Sequence, residues 1–369
     1  MTHLRIVSLA LVALLALPAV AAAKNEGRKV TVMTRNVYLG ADLAPVIEAT
    51  SLPAAIDGAG TIWNEMQSTR FRQRAVPLAR EIKRSGADLV GLQEVALWRK
   101  QTPSDGGAPP ISPIPTAKPA TRVEFDFLTI LMRKLKGYRV VVVQKEFEAE
   151  LPVDQNGMDE PGSIIGADFD ARLTMRDVIL VRRASNVQLG RTRKGNFDTR
   201  YEANVGGIPI PVDRGWASVE ARYRHGNTVR RFRFVNTHLE AFGDPSIREA
   251  QAKELIAGPL DTSRQLILVG DLNSGVARHN EPEQPGDDLA FRALAGFGMK
   301  DKGAVQSCCY ADMFDPAALF DHTVDHVLTK PGLRKRRAFV TGDDRGERTP
   351  AGLWPSDHGG VVSRLLLRR

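Results

Sequence analysis

The sequence has little cysteine and few aromatic residues. Its 369 residues include only two cysteines, Cys308 and Cys309, which are neighbours in the chain. Two adjacent cysteines cannot build a disulfide framework, and alone they supply too few ligands for a tetrahedral metal site. A vicinal disulfide and two plain thiols are both open to them, and we expect no catalytic role for either. Aromatic residues make up 6% of the chain, and no exposed aromatic membrane hairpin is evident.

Long apolar runs are missing after the first residues. Met1–Arg5 carries positive charge, residues 6–20 are apolar, and small residues follow at 19–23. This order is typical of a secretory signal peptide, and the apolar stretch is too short for a comfortable membrane span. We therefore predict a signal peptide over residues 1–23 and a mature chain over 24–369. The mature protein is expected to be secreted or periplasmic, without a transmembrane segment.

Acidic residues are outnumbered by basic ones. The chain has 51 Lys and Arg against 43 Asp and Glu, which gives a formal net charge of +8. An excess of positive charge favours anionic partners such as nucleic acid, phospholipid headgroups or cell-wall polymers. A general preference for arginine in the source lineage would produce the same excess. The charge thus indicates the sign of a partner and leaves its class open.

One stretch combines a buried strand with two polar residues at its end. Residues 265–274 read Gln-Leu-Ile-Leu-Val-Gly-Asp-Leu-Asn-Ser. Asp271 and Asn273 are two positions apart, so on an extended backbone they point the same way. Hard oxygen donors of this kind suit a divalent cation or a water held beside it. The alternative interpretation is a plain turn, because Asp, Asn and Ser are common turn formers.

The same pattern of an apolar strand followed by a polar group recurs along the chain. Other strands are predicted to deliver Asn36, Glu94 and His238, a loop delivers His358, and Asp325 lies inside a strand. Each of these residues alone has a structural explanation as a cap or a surface charge. Strand ends of one sheet nevertheless converge on one edge, where sites in α/β proteins tend to form.

Helices are few and are spread among the strands. Apolar residues at helical spacing predict four of them, at 69–85, 125–135, 246–257 and 289–295. Two stretches, 41–64 and 146–170, show no such pattern and are predicted to be irregular. We find no internal repeat and no domain boundary.

Six short motifs together resemble the endonuclease/exonuclease/phosphatase superfamily. In chain order they are Thr34-Arg-Asn36, Gly91-Leu-Gln-Glu94-Val, Asn236-Thr-His238-Leu, Gly270-Asp271-Leu-Asn273-Ser, Val324-Asp325-His-Val and Ser356-Asp357-His358. The superfamily includes pancreatic-type deoxyribonuclease, abasic-site endonucleases, inositol polyphosphate phosphatases and neutral sphingomyelinases. The match spans about residues 30–367. It implies an α+β fold, a four-layer α/β/β/α sandwich of two packed, mostly antiparallel sheets flanked by helices.

The resemblance also implies roles for individual residues. The implied metal ligands are Asn36, Glu94 and Asp357, holding Mg²⁺, with Mn²⁺ or Ca²⁺ as alternatives. The implied catalytic residues are His238, Asp271, Asn273, Asp325 and His358. In this scheme His358 is the general base or acid, since imidazole titrates near the working pH, and Asp325 fixes its tautomer. Arg176 resembles a phosphate-contacting position in some members.

Two departures from the motifs of abasic-site endonucleases indicate which branch of the superfamily this chain resembles. Abasic-site endonucleases have an acidic residue where this chain has Tyr38, and they lack the histidine that this chain has at His238. We therefore predict an exported, monomeric, metal-dependent phosphodiester hydrolase that acts as a nuclease. The alternative is a sphingomyelinase-like phospholipid phosphodiesterase using the same residues. A third possibility is a secreted binding module on a degenerate scaffold, and the presence of every catalytic motif argues against it.

Overall fold

The computed structural model describes residues 29–107, 117–157, 166–275, 285–331 and 333–368. The predicted signal peptide and most of the polar loop after residue 275 lie outside these ranges. Within the described part of the chain, no helix is both long enough and apolar enough to cross a bilayer.

Strands dominate the described residues. In chain order they are β1 (Lys29–Asn36), β2 (Leu89–Gln93), β3 (Leu97–Gln101), β4 (Arg122–Asp126), β5 (Tyr138–Val153), β6 (Phe169–Arg182), β7 (Val187–Asn196), β8 (Tyr201–Val205), β9 (Ile208–Val212), β10 (Gly215–His225), β11 (Thr228–His238), β12 (Gln265–Asp271), β13 (Lys300–Asp301), β14 (Asp325–Lys330), β15 (Arg334–Thr341) and β16 (Gly360–Leu366). The helices are α1 (Ala44–Ile47), α2 (Leu52–Ser68), α3 (Phe71–Ser85), α4 (Phe127–Lys134), α5 (Pro245–Ala257) and α6 (Leu289–Gly296).

These strands form two large sheets and one hairpin. Sheet A has the order β15-β16-β1-β2-β6-β3-β4, with β5 also paired to β6, and sheet B has the order β13-β14-β12-β11-β10-β7. Strands β8 and β9 pair only with each other. The pairs β1–β2 and β11–β12 are parallel, and the other pairs are antiparallel. The predicted α+β fold with two packed, mostly antiparallel sheets is confirmed.

Alternating side chains of the strands divide the core into layers. In β1, Val32 faces the space between the sheets while Met33 faces helices α2 to α4. In β12, Ile267 points between the sheets and Leu268 points to α5 and α6. Because a strand sends successive side chains to opposite faces, both sheets bury both faces. The result is the predicted order of helices, sheet, sheet and helices.

Two predictions about irregular segments were wrong. Residues 52–64 of the stretch predicted to be irregular belong to helix α2, which runs on to Ser68 and whose cap is the Ser51 hydroxyl accepting from the Ala54 amide. Its many alanines and glycines obscured the helical pattern of apolar residues in the sequence. Ile62, Trp63 and Met66 nevertheless form a face that packs against sheet A. The stretch 146–170 was also predicted to be a loop, yet strand β5 runs on to Val153.

The acidic residues of that stretch misled the prediction because basic residues of strands β5 and β6 pair with them. Glu148 lies 2.5 Å from Arg172 and 2.8 Å from Lys145, and these partners lower its pKa to about 2 even though partial burial acts in the opposite direction. A smaller error concerns Asp325, which begins strand β14 and does not lie inside it.

Candidate active site

The predicted polar residues meet at one edge of the sandwich because of strand direction. Strands β1, β11 and β12 end at Asn36, His238 and Asp271, and β2 ends one residue before Glu94. Strand β14 runs antiparallel to β12, so its first residue, Asp325, pairs with Asp271 in register. His238 pairs with Asp271 from the other side. Sheet register therefore places His238, Asp271 and Asp325 side by side.

His358 is held by one carboxylate at this edge and lies near a second. Its Nδ1 lies 2.9 Å from Oδ2 of Asp325, which also accepts a hydrogen bond of 2.7 Å from the Ser307 hydroxyl. Its Nε2 lies 3.7 Å from Oδ2 of Asp271. Nδ1 is thus committed to Asp325, whereas the Nε2 separation exceeds a hydrogen bond and leaves that nitrogen open to a reacting group.

His238 approaches the same carboxylate oxygen from the opposite side. Its Nε2 lies 3.7 Å from Oδ2 of Asp271 and 3.2 Å from Nδ2 of Asn273. Its Nδ1 lies 3.0 Å from the buried guanidinium of Arg214, which also pairs with Glu240 at 3.3 Å. One carboxylate oxygen therefore stands between two imidazole nitrogens.

Asn36 joins the two sheets across the site. Its amide nitrogen donates to Glu94 at 2.9 Å and to Asp271 at 3.1 Å, so it links the end of β1 in sheet A to the end of β12 in sheet B. Its amide oxygen accepts from the Tyr38 main chain at 2.9 Å. In this arrangement Asn36 holds Glu94 in position, and direct ligation of a metal by Asn36 stays a prediction.

Backbone strain is concentrated at this edge. Tyr38, Glu94 and Asn273 have φ angles of 59°, 57° and 44°, and within the described residues only one other non-glycine residue, Arg70, is left-handed. Such a conformation costs on the order of 1–3 kcal/mol for a residue with a Cβ and clusters at functional sites. The strain supports a functional interpretation of the site.

The two histidines are driven to opposite protonation states. Burial opposes the charged form of His358, but the carboxylates of Asp325, Asp357 and Asp271 outweigh it and raise the pKa of the ring well above its usual value. Burial, followed by the charges of Arg214 and His358, lowers the pKa of His238 well below its usual value. A pair of titratable groups pushed apart in this way is typical of acid and base roles.

Several carboxyl groups at the site carry raised pKa values. Burial raises the pKa of Asp271 to about 6, with His358 acting against it and Asp325 adding to it. Burial likewise raises the pKa of Asp357 to about 6, where the opposing charge of His358 exceeds the added effect of Glu94. Glu94 and Asp357 are thus close enough to repel each other, and a divalent cation between them would relieve that repulsion. Two carboxylates fit the hard oxygen donors that Mg²⁺ prefers.

These pKa values predict how Mg²⁺ should stabilise the protein. The pKa values of Asp271 and Asp357 lie above the unfolded value near 3.8, so the metal-free fold should lose stability as pH rises from about 4 to 6. Because Mg²⁺ binds the ionised carboxylates, its stabilisation should be small at pH 5 and larger at pH 7.5, by on the order of 1–3 kcal/mol. Calorimetry at both pH values in EDTA or MgCl₂, at matched ionic strength, measures this. A Mg²⁺-induced shift in Tm that is equal at both pH values would contradict the assignment.

Arg176 is engaged elsewhere. Its guanidinium donates to the carbonyls of Val95 at 2.9 Å and Ala96 at 3.2 Å and pairs with Asp126 at 2.6 Å. These contacts fix the main chain that follows Glu94. Contact of Arg176 with a phosphate stays a prediction, and it would require the side chain to leave these partners.

Several buried charged residues that support the site were not found from the sequence. Arg74 donates to the carbonyls of Val37, Tyr38 and Pro355, and Arg35 donates to the carbonyl of His358. These arginines fasten the segments that carry the site residues. A basic residue inside a predicted helix or strand gives no local sign that it is buried. Arg214, which lies between strands β9 and β10, gives no such sign either.

Glycine allows the two sheets to approach closely below the site. A Cβ on Gly91 of β2 would clash with the side-chain oxygen of Asn236 in β11 and with Val269 in β12. Asn236 instead reaches across the sheets, accepting from Gln93 at 2.6 Å and donating to the Leu92 carbonyl at 3.1 Å. The motif that contains Asn236 therefore has a bridging role as well as delivering His238.

Comparisons with known proteins identify the family of this chain and structures with a similar fold. The sequence model of a family described as the endonuclease/exonuclease/phosphatase family matches residues 36–358. An endonuclease/exonuclease/phosphatase family protein from Bacteroides thetaiotaomicron is 16% identical, with a TM-score of 0.51 and coverage of 92% of this chain and 98% of that chain. A mannosyl-6-phosphatase from Bacteroides thetaiotaomicron is also 16% identical, with a TM-score of 0.51 and coverage of 92% and 100%. A search of curated proteins finds no match.

Proposed function

The chain belongs to the endonuclease/exonuclease/phosphatase family, and from that membership we propose that it is an exported Mg²⁺-dependent phosphodiesterase that acts as a nuclease. Enzymes of this family are divalent-metal-dependent phosphoric ester hydrolases. The observation that carries the proposal is the placement of one Asp271 oxygen 3.7 Å from Nε2 of His358 and 3.7 Å from Nε2 of His238.

The order of the pKa values suggests which side chains accept and donate protons. Asp271, with a pKa of about 6, is ionised at neutral pH and can take a proton from the attacking water. The raised pKa of His358 keeps it protonated, so it can donate to the leaving oxygen when the P–O bond breaks. Asp325 holds that ring in place through Nδ1. Both groups then return to their starting states by exchange with solvent.

The remaining groups bind and orient the phosphate. Asn273 and the neutral ring of His238 face the same space as Asp271, where they can hold a non-bridging oxygen. Glu94 and Asp357, with Asn36 beside them, are the groups that would hold the cation. When bound, a divalent cation neutralises phosphate charge and assists the leaving oxygen.

A basic surface on sheet B favours a polyanionic substrate. Arg191, Arg193, Arg222, Arg231, Arg233 and Arg264 surround a single acidic side chain, Glu220, at two adjoining concavities of about 610 and 290 Å³. Glu220 pairs with Arg233 at 2.7 Å and Arg264 at 2.8 Å, so the surface keeps a strong positive excess. The pairing of Arg193 with Ser218 lies three residues along β10 from the pairing of Gly215 with His238, or about 10 Å. A polyanion bound at the site can therefore extend to this basic surface.

Charge reversal on this surface should separate polymer binding from chemistry. The double variant Arg191→Glu with Arg193→Glu should lower kcat/KM for plasmid about 10-fold or more at low salt, because phosphate contacts dominate such binding and weaken with salt. Activity on the small diester bis(p-nitrophenyl) phosphate should stay unchanged. The matched control, Arg80→Glu with Lys83→Glu on helix α3, makes the same charge change on the opposite side of the sandwich. Equal loss in both double variants would exclude a specific polymer surface.

A second candidate, a phospholipid phosphodiesterase, is favoured by one apolar cavity. It has a volume of about 70 Å³ and lies between the β8–β9 hairpin and helices α1 and α2. Its lining includes Trp98, Met175 and Arg214, and Arg214 contacts His238. An apolar group next to the scissile phosphate could enter from that side.

A substrate comparison tests the proposed function. Supercoiled plasmid, RNA, sphingomyelin vesicles and mannose 6-phosphate are incubated with the mature protein in Mg²⁺ or in EDTA. Nicking of plasmid or cleavage of RNA that EDTA stops is the expected result. Phosphocholine release with intact nucleic acid would replace the nuclease by the phospholipid enzyme, and turnover of the sugar phosphate alone would make the protein a phosphomonoesterase.

Export rests on residues 1–23, whose charged start, apolar stretch and small residues have the order of a signal peptide. The proposal requires the mature protein to begin near Lys24, which amino-terminal sequencing of the exported protein measures. A product that retains residues 1–23 and stays in the cytoplasm would exclude it.

A further inference from the structure

The two cysteines lie against the catalytic face of His358. They belong to the segment between β13 and β14, and they are joined to each other in this structure. Sγ of Cys308 lies 3.8 Å and Sγ of Cys309 lies 3.7 Å from Nε2 of His358. Cys308 and His358 are buried, whereas Cys309 is exposed. The one nitrogen that Asp325 leaves open therefore faces two sulfur atoms, and the residue that carries one of them, Cys309, is exposed to solvent.

The sulfur–nitrogen distances match those around a tetrahedral cation. Zinc bonds of about 2.3 Å to sulfur and 2.0 Å to nitrogen, at the tetrahedral angle, place the two ligand atoms about 3.5 Å apart. The observed distances of 3.7 and 3.8 Å are within a few tenths of an ångström of that value. The sulfur–nitrogen distances thus need to change by only a few tenths of an ångström, whereas the two sulfur atoms must separate from each other, which reduction of the disulfide allows.

The surroundings of His358 also fit a ligand histidine. A histidine that binds a metal almost always donates its other ring N–H to a carboxylate or carbonyl, which fixes the tautomer and raises the basicity of the ligand nitrogen. Asp325 accepts from Nδ1 at 2.9 Å and is itself held by Ser307 at 2.7 Å. Nε2 is therefore the nitrogen available as a ligand, and it points to the cysteines.

We propose that Cys308, Cys309 and Nε2 of His358 form a site for a thiophilic cation such as Zn²⁺ or Cd²⁺ when the cysteines are thiols. The donor set of two thiolates and one imidazole is soft, and it differs from the oxygen donors of Glu94 and Asp357 that suit Mg²⁺. Binding releases the two thiol protons and the Nε2 proton of His358, and it leaves a fourth position for water. Because the cation uses Nε2, it should inhibit hydrolysis; this consequence, unlike the binding itself, rests on the proposed function.

The disulfide and the cation exclude each other. Sulfur atoms joined in a disulfide are about 2.05 Å apart, whereas two thiolates on one zinc lie about 3.8 Å apart. Reduction by a phosphine cleaves the S–S bond, gives each sulfur a proton from water, and converts the phosphine to its oxide with the oxygen of that water. The cation site exists only after this step, so cation binding reports the redox state of the pair.

Cadmium binding to the full mature protein tests the proposal. The protein is reduced with a phosphine, freed of it under argon, and titrated with CdCl₂ while thiolate-to-metal absorption in the ultraviolet and bound Cd²⁺ are measured. One Cd²⁺ per reduced chain with this absorption, and none in the oxidised protein, is the expected result. His358→Ala should weaken binding at least about 10-fold although both thiols remain. The matched control His322→Ala, on the same segment, should bind as tightly as the unchanged protein.

The outcomes separate the binding site from the enzyme's chemistry. Absence of the thiolate absorption from the reduced protein overturns the site, and equal affinity in His358→Ala overturns the role of the histidine. With Mg²⁺ in excess, Cd²⁺ should inhibit reduced protein at least about 10-fold more strongly than the Cys308→Ser, Cys309→Ser double variant. Cd²⁺ binding without any hydrolysis would support the site while rejecting the proposed function.

Discussion

Replacing His358 by alanine should lower kcat/KM for a phosphodiester by about 10³-fold or more, within the range that one general acid or base contributes. The ring is the only described imidazole whose Nδ1 is held by Asp325 and whose Nε2 lies 3.7 Å from Asp271. Alanine removes the proton donor and also the positive charge that favours the ionised form of Asp271. Both losses act on the transition state, so kcat should fall more than KM rises.

His322→Ala is the matched control for this prediction. His322 also pairs with an aspartate, Asp321, at 2.6 Å, but it is partly exposed and makes no contact with Asp271 or Asp325 among the described contacts. Its removal should leave kcat/KM within about two-fold of the unchanged protein, as expected for a surface pair of small energetic value. Equal activity of His358→Ala and His322→Ala would show that His358 takes no part in the chemistry.

Asp325→Asn adds an independent check on the same pair. The substitution keeps the shape of the side chain but weakens the support of Nδ1, so activity should fall by up to about 10⁴-fold, as for an aspartate that fixes a catalytic tautomer. The pH dependence should change as well, because Asp325 is the largest of the carboxylate effects that raise the pKa of His358. The limb of the pH–rate profile that reports this histidine should move to lower pH.

Replacing Glu94 by glutamine should have the second large effect. We expect kcat/KM to fall about 10³-fold and the Mg²⁺ concentration for half-maximal activity to rise at least about 10-fold, since a cation loses its charged ligand. Both carboxylate oxygens of Glu94 accept hydrogen bonds, from Asn36 at 2.9 Å and from the Leu39 main chain at 2.8 Å. Glutamine can accept at only one of these positions, so the variant should also lose about 1–3 kcal/mol of stability.

Glu148→Gln separates loss of stability from loss of the metal ligand. Glu148 is likewise held by several donors, including Arg172 at 2.5 Å and Thr174 at 2.5 Å, but it lies on strand β5 away from the site edge. This control should lower Tm as Glu94→Gln does, while the Mg²⁺ requirement stays unchanged. Isothermal titration with MgCl₂ and kinetics at several Mg²⁺ concentrations measure both quantities. If the two variants show the same Mg²⁺ dependence, Glu94 does not hold the cation.

Most of the site residues could be predicted from the sequence because they are placed by local rules. Asp271 follows an apolar run, and the two-residue period of a strand is enough to bring Asn273 to the same side. Sheet register then brings His238, Asp271 and Asp325 together, since their pairing needs only the correct strand order. These residues lie together in the structure, and their individual roles stay predictions.

The residues that were missed depend on contacts between distant segments. Arg214 becomes part of the site through His238 and Glu240, and neither its position nor its burial follows from its neighbours in the chain. Asp177 is buried within strand β6, where it accepts from the amide nitrogen of Asn236 at 3.5 Å and where burial raises its pKa well above the usual value. An aspartate inside an apolar strand was a usable signal. Helix α2 was missed because its many small residues make the buried face differ too little in hydrophobicity from the exposed face.

Because Asn36 bridges the two sheets and the sheets approach closely at Gly91, the packing between them sets the relative positions of the site residues. Half of the site residues lie on sheet A and half on sheet B. The distance between a metal ligand and a proton acceptor therefore depends on how the two sheets pack against each other. A substitution such as Phe234→Leu in the layer between them, far from any substrate, can shift one sheet by a fraction of an ångström and separate groups that must act together. Such a displacement should lower catalytic activity before it unfolds the protein. On heating, the enzyme should therefore lose activity at temperatures at which it is still folded.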